Sequence, residues 1–220
     1  MSGALQAVFQ NQRSFGLAIG AAYQGGYYAG QISTSGNGIA THNLVIGPVS
    51  SAENSARKWN TGNNFVSGSS SVIDGPANTA AQIAGYGTDS EAATFCDDLT
   101  IGGFSDWYMP AKNELEVCYY NLKPTTTSNH TGSGINANAV PARASNYTAG
   151  SPAQTSATDF ITSTGAQAFT AGSGANTYWS SSQSTIYVTI GLYQNFSTGY
   201  QDGNNKNSNA RVRAVRRVAV

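Results

Sequence analysis

The sequence predicts an α+β fold in which two mid-chain helices pack on small antiparallel sheets and are joined by long loops. Two mid-chain segments carry apolar residues at helical spacing. Aromatic and β-branched runs toward both ends alternate with Gly, Asn and Ser clusters, as strands and hairpins do. The chain also contains 26 Ser, 21 Thr, 20 Asn and 25 Gly, a composition that favours long neutral loops.

The first fifteen residues are predicted to be a docking segment. Residues 4–13 place their large apolar side chains on one helical face, with Gln and Asn opposite. A single apolar stripe on so short a helix needs a partner surface in its own domain, another subunit or a larger assembly. We therefore divide the chain into a docking helix over residues 1–15 and one domain over residues 16–220.

The next two stretches differ in character. Residues 16–49 are predicted to form strands joined by a hairpin, because aromatic and β-branched runs flank a Gly-rich turn. Residues 50–89 are predicted to be mostly loop, since Ser and Gly are frequent and Asp-Gly-Pro at residues 74–76 is a strong turn signal. We expect Trp59 and Phe65 to attach this loop to the core.

Two helices are predicted next, over residues 90–99 and 110–122. Their apolar residues recur at the spacing of one helical face, and Pro110 suits a first helical turn, where its missing N–H costs nothing. Ser90 is the expected N-cap of the first helix. The end of the chain is predicted to be β again, and its last strand, residues 211–218, carries four arginines that we expect to be satisfied by backbone carbonyls and Asp.

The charge of the chain argues against several classes of partner. Lys and Arg number 11, Asp and Glu number 11, and only 10% of residues are charged. A nucleic-acid binder needs a basic field, and so does a polybasic membrane-surface protein, so we expect neither. No apolar run is long enough to insert into a membrane, and the N-terminus lacks the features of a secretory signal.

Motifs for catalysis, cofactors and metals are missing from the sequence. It contains no phosphate loop, no zinc-protease helix and no convincing nucleophile elbow. His42 and His130 have no second ligand type nearby, so a strand and a loop histidine are favoured over metal ligands. Asp106 lacks an acid–base partner, which favours a structural role. We therefore predict no enzymatic activity, no cofactor and no metal.

The two cysteines, Cys96 and Cys118, both fall on the apolar faces of predicted helices. Two cysteines without a secretory signal indicate reduced core thiols more often than a disulfide. A disulfide between two packed helices stays open as the alternative.

Three motifs stand in an order that resembles a known family. They are GGFSDWYMPAKNEL at residues 102–115, YWSSS at 178–182 and RVRAVRR at 211–217. Together they resemble the C-terminal domain of a Legionella collagen-like adhesin, a domain also found in many bacteriophage tail-fibre and virion proteins. Residues 3–15, 25–30 and 74–78 are similar to the phage-borne branch of that family.

The resemblance implies a C-type lectin-like fold. In that fold residues 102–110 would join the two helices, Trp179 would enter the core, and residues 183–209 would form an exposed loop face. The Glu-Pro-Asn, Gln-Pro-Asp and Trp-Asn-Asp triplets of calcium-dependent lectins are missing. Asp202, Asn204 and Asn205 would supply only a loose set of oxygen ligands, so a calcium site is not implied.

The leading hypothesis is a non-enzymatic bacteriophage virion protein of a tail fibre or tail tip. It would bind a host cell-surface receptor, a glycan or a protein, with a loop face rich in Tyr and Asn, as antibody paratopes are. The candidate ligand-binding residues are Tyr187, Tyr193, Asn195, Tyr200, Asp202, Asn204 and Asn205.

The alternative is a structural capsid-decoration or baseplate subunit that docks through residues 1–15. In both cases the partners are other virion subunits, the location is the virion after synthesis in the host cytoplasm, and a homotrimer is plausible. A cellular adhesin domain is a more distant third reading. The Asn-rich stretch 194–209 is also similar to phage lectin-like domains whose ligand loops are diversified.

Overall fold

The computed structural model describes residues 16–220 except residues 173 and 175, and these residues form an α+β fold. The strands are β1 (Ala22–Tyr23), β2 (Gly26–Ile32), β3 (His42–Ile46), β4 (Glu53–Lys58), β5 (Ala139–Val140), β6 (Thr177–Gln183), β7 (Ile190–Asn195), β8 (Gln201–Asn205), β9 (Asn209–Arg213) and β10 (Val215–Ala219). The α-helices are α1 (Val49–Ala52), α2 (Gly75–Tyr86), α3 (Glu91–Asp97) and α4 (Lys112–Leu122). The predicted docking helix over residues 1–15 lies outside the described residues.

The strands form two five-stranded sheets. The first has the order β1-β2-β3-β10, with β5 paired to β2, and the second has the order β4-β9-β6-β7-β8. All pairs are antiparallel except β6 with β9, which run parallel at Tyr178 and Arg211. The predicted last strand is two strands, because the chain passes from the second sheet to the first at the buried Ala214.

The two predicted helices are present, with shorter bounds. Helix α4 begins at Lys112 instead of residue 110, and the Glu114 carboxylate accepts the N–H of Ala111 at its first turn (2.8 Å). Helix α3 spans seven residues. Ser90 precedes it as predicted, but its hydroxyl donates to the carbonyl of Gln82 (3.1 Å) and makes no cap. Both cysteines on these helices are free and buried, which confirms the prediction of core thiols.

The prediction that residues 50–89 are mostly loop is wrong. The stretch contains α1, β4 and the twelve-residue helix α2. Asp74 is the N-cap of α2 and Pro76 lies in its first turn, so the Asp-Gly-Pro signal marks a helix start. The helix has no apolar stripe because its buried face is polar: Asn78 and Gln82 hydrogen-bond to Ser181 on β6.

Of the two aromatic residues predicted to attach this stretch to the core, Trp59 does so and Phe65 does not. Trp59 is fully buried and its indole N–H donates to the carbonyl of Ser180 (2.8 Å), as expected of a core anchor. Phe65 is 50% exposed and anchors nothing. Trp179 enters the core as expected, with its N–H donating to the carbonyl of Arg57 (2.9 Å).

The prediction that backbone carbonyls and Asp satisfy the four C-terminal arginines is confirmed in part, because Glu53 and Glu114 are acceptors as well. Arg211 pairs with Glu53 (2.9 Å) and Arg216 pairs with Asp106 (2.7 and 2.9 Å). Arg213 donates to the carbonyl of Gly47, and Arg217 donates to Glu114. Asp106 therefore has the structural role that was predicted for it. No described helix is long and apolar enough to cross a membrane.

Candidate functional site

The region predicted as an exposed loop face, residues 183–209, contains the two strands β7 and β8, with turns and loops around them. Strands β7 and β8 pair antiparallel, with Tyr193 opposite Asp202 and Gly191 opposite Asn204. Because side chains alternate along a strand, five of the seven candidate ligand residues share one face. They are Tyr193, Asn195, Tyr200, Asp202 and Asn204, and we call them the hairpin face.

The other two candidates lie elsewhere. Asn205 is opposite Ile190 in the register, so its side chain projects from the reverse side of the hairpin. Tyr187 lies in the loop between β6 and β7 and is 66% exposed, between the exposed Ile186 and Val188. Asp202, Asn204 and Asn205 thus do not converge. Among residues 16–220 without 173 and 175, no group of three or more His, Cys, Asp or Glu could hold a metal ion.

Aromatic rings form a continuous line across the hairpin face. The rings of Tyr193 and Tyr200 meet edge to face with centroids 6.5 Å apart. Tyr193 also meets Trp179 (6.4 Å), and Tyr200 meets His130 (4.4 Å). Rings held by neighbouring rings lose little conformational entropy when a ligand binds, so this line is well suited to recognition.

Two of the polar residues on the hairpin face are already committed to local hydrogen bonds. Asp202 accepts the Tyr200 hydroxyl (2.6 Å) and the N–H of Gly203 (2.9 Å). Asn195 accepts the N–H groups of Ser197 and Thr198, and closes a turn. Both residues therefore use part of their hydrogen-bonding capacity to position the hairpin.

The pKa values of the two tyrosines follow from the same contacts. The hydrogen bond to Asp202, together with its negative charge, raises the pKa of Tyr200. Burial, with a smaller contribution from Asp202, raises the pKa of Tyr193. Both phenols consequently stay neutral at physiological pH, and because the Tyr200 O–H is donated to Asp202, the Tyr193 O–H is the donor that a ligand can use.

The remaining polar groups of the hairpin face are free to bind. Asn204 uses its Oδ1 to accept the N–H of Asn205 (2.8 Å), while its Nδ2 has no hydrogen bond to the described residues. The Tyr193 hydroxyl also has no hydrogen bond within the described part of the chain. A ligand would supply the missing partners of both groups.

These free groups border a cleft of about 280 Å³, which we call the Tyr193 cleft. Its walls combine aromatic rings, amides, a hydroxyl and one cation, from Thr177, Trp179, Tyr193, Asn204, Asn209 and Arg211. Arg211 pairs with Glu53 (2.9 Å), which also lies 3.7 Å from Arg213, so this guanidinium is engaged within the protein. The free groups of the cleft are neutral, which favours a neutral, hydroxyl-rich ligand. Sequence reasoning missed Thr177 and Asn209, because only strand register brings them beside Tyr193.

Comparisons with known proteins place the chain as follows. The Lcl C-terminal domain family matches residues 49–216. No curated protein matches the chain. A solved fimbrial protein from Bacteroides ovatus is similar at 14% identity and a TM-score of 0.41, over 79% of this chain and 35% of the fimbrial chain. The chain thus spans about a third of the length of that protein.

Proposed function

Because the chain belongs to the Lcl C-terminal domain family, we propose that it is a non-enzymatic attachment domain that binds a glycan through the hairpin face. The single observation that carries this proposal is the Tyr193 cleft, where an aromatic ring stands beside a free hydroxyl and a free amide. A sugar ring has apolar C–H faces that pack on an aromatic ring and hydroxyls that pair with amides.

The carrier we propose is a bacteriophage virion, with the domain on a tail fibre or tail tip and a host cell-surface glycan as receptor. The support is the sequence resemblance of residues 3–15, 25–30 and 74–78 to the phage-borne branch. A C-type lectin-like arrangement belongs to the same proposal, as do other virion subunits as partners and assembly as a homotrimer. In this role the domain works without cofactor, metal, nucleic acid or membrane insertion.

The test of the binding site is Tyr193→Ala, assayed on a glycan array with the full chain. Removing the ring deletes the stacking surface and one hydroxyl, so we expect binding to fall by about tenfold or more. Tyr187→Ala is the matched control, because Tyr187 is an exposed tyrosine outside the hairpin face. Equal loss in both variants, or no loss in Tyr193→Ala, would contradict the assignment of the Tyr193 cleft.

The second prediction concerns how glycan binding depends on salt concentration. Because Arg211 is paired with Glu53, binding should depend little on salt, changing by less than about twofold between low and high ionic strength. Isothermal titration of an array-selected glycan in both buffers measures this. A steep decline of affinity with salt would indicate an acidic ligand instead.

A second candidate function is structural, as a capsid-decoration or baseplate subunit docked by residues 1–15. Deletion of residues 1–15 separates the two functions. A structural subunit would no longer be incorporated into particles, whereas a receptor-binding domain would keep its glycan binding in solution.

A further inference from the structure

A second cleft opens on the other flank of the aromatic line. It has a volume of about 420 Å³ and is lined by Ser128, Asn129, His130, Asn195, Thr198 and Tyr200. We call it the His130 cleft. Tyr193 borders the first cleft and Tyr200 the second, and the two rings are neighbours on the hairpin face. The two clefts therefore meet at a ridge made of two tyrosine rings.

The walls of the His130 cleft are held in place by internal hydrogen bonds. The N–H of His130 donates to the carbonyl of Thr198 (2.7 Å), which fixes the two sides of the cleft to each other. The buried Asn129 accepts the Tyr119 hydroxyl (2.6 Å) and donates to the carbonyl of Pro152 (2.9 Å). The cleft is thus built before any ligand arrives, which lowers the entropy cost of binding.

Free donors point to the type of group that the His130 cleft accepts. His130 Nδ1 accepts the N–H of Gly132 (3.3 Å), so the ring proton lies on Nε2, which has no hydrogen bond to the described residues. The Ser128 hydroxyl is exposed and equally without a described partner. The His130 cleft therefore combines two aromatic rings, those of His130 and Tyr200, with two free donors, as the Tyr193 cleft combines aromatic rings with free polar groups.

We propose that the His130 cleft is a second sugar subsite, so that the ligand is an extended neutral oligosaccharide and not a single sugar. This rests on the proposed function, because it assumes that the Tyr193 cleft binds the first sugar. The chain of sugars crosses the ridge formed by Tyr193 and Tyr200. Asp202 lies at that ridge, and its carboxylate disfavours acidic sugars.

The experiment uses gluco-, manno- and chito-oligosaccharides from monomer to hexamer as probes, with affinities measured by titration calorimetry. In the wild-type chain, affinity should rise with chain length. His130→Ala should weaken binding of the longer oligosaccharides by about three- to tenfold and leave monomer binding unchanged, since it removes one ring and one donor. Tyr193→Ala should weaken binding of every length.

The two histidines of the chain provide a matched control. His42→Ala on β3 removes a histidine from the other sheet and should change no affinity. His130 is exposed, so its substitution should leave the melting temperature unchanged, which a thermal melt verifies. Binding that is independent of chain length, or equal in wild-type and His130→Ala, would overturn the subsite while the proposed function stands. No binding of any probe by the wild-type chain would overturn both.

Discussion

At the scale of single residues, Lys206 is a fully buried cation that is satisfied by oxygens instead of a carboxylate. Its ammonium donates to the Gln183 side chain (2.6 Å) and to the carbonyls of Asn64 (2.8 Å) and Val188 (2.7 Å). It also lies 4.5 Å from the centre of the Trp59 ring. Three donors thus meet three acceptors, and the contacts fix the loop that carries Tyr187.

Replacing Lys206 tests how much these contacts contribute. Lys206→Met keeps the apolar stem but leaves the carbonyls of Asn64 and Val188 without a donor and removes one of the two donors of Gln183 Oε1. We expect the free energy of unfolding to fall by about 1–3 kcal/mol, measured by urea denaturation. Lys58→Met on β4 is the control and should change stability little. A Lys206→Met variant as stable as wild type would mean that the desolvation cost of the ammonium cancels its hydrogen bonds.

The polar residues of the hairpin face differ in whether their hydrogen-bonding groups are already paired. Sequence reasoning selected Asn195, Asp202 and Asn204 as equivalent, because each is a polar residue in a Tyr- and Asn-rich segment. Their hydrogen bonds distinguish them, because Asn195 and Asp202 accept hydrogen bonds from groups of their own loop, whereas the side-chain amide of Asn204 has no hydrogen bond to the described residues. A sequence lists donors and acceptors, but only coordinates show which of them are already paired.

At the scale of elements, β8 is an edge strand whose outer N–H groups are covered by side chains. Ser133 Oγ accepts the N–H of Gln201 (3.0 Å), Asp202 accepts that of Gly203, and Asn204 accepts that of Asn205. An uncovered edge would offer these groups to a strand of another molecule. The side chains therefore protect the second sheet from edge-to-edge pairing.

Removing this cover should promote association. A double variant, Asp202→Ala with Asn204→Ala, frees two of the three outer N–H groups. We expect it to self-associate at lower protein concentration than wild type, as followed by light scattering after size exclusion. Asn207→Ala removes an exposed asparagine next to β8 and should leave the mass unchanged. A double variant with the wild-type concentration dependence would show that the edge is protected by other means.

The helices show how far periodicity predicts an element. Helices α3 and α4 carry apolar residues at helical spacing, which predicted both, although α4 also buries Asn113, Glu114 and Glu116. Helix α2 buries Asn78, Thr79 and Gln82 against β6 and the loop before α4 through hydrogen bonds. Its apolar residues that pack on the core, Ala81, Ile83 and Tyr86, are only partly buried. A polar buried face carries no hydrophobic period, so periodicity could not predict this helix, and its one signal in the sequence was the capping Asp74 with Pro76.

At the scale of the whole molecule, buried tyrosines should set the alkaline limit of stability. Burial raises the pKa of Tyr119, Tyr147 and Tyr178 far above the usual value. The unfolded chain loses these protons near pH 10 while the folded chain keeps them, so the unfolded state binds fewer protons above that pH. The stabilisation by these phenols is therefore complete below about pH 10 and declines above it.

Lys206 affects the stability of the fold in the opposite direction, at pH values just below 10. Burial lowers its pKa to about 8, so between about pH 8 and 10 the unfolded chain binds the extra proton and the contribution of Lys206 to stability rises with pH. Burial also raises the pKa values of the Cys96 and Cys118 thiols, which act like the tyrosines from about pH 8.5 upward. In urea denaturation from pH 7 to 11, the free energy of unfolding should therefore fall more steeply in Lys206→Met than in wild type between about pH 8 and 10, and should fall in both above about pH 10. Parallel pH profiles of the two proteins would contradict the assignment to Lys206.

The sequence by itself determined the α+β class, the helices α3 and α4, the reduced core thiols and the internal pairing of the C-terminal arginines. These features depend on short stretches of sequence or on composition, because the spacing of apolar residues, the number of cysteines and the balance of charges can be counted directly from the sequence. The tertiary structure alone decided which candidates share the hairpin face, since that depends on the register of β7 with β8. It also brought Thr177, Asn209 and His130 to the two clefts, because contacts between residues distant in sequence follow from sheet topology.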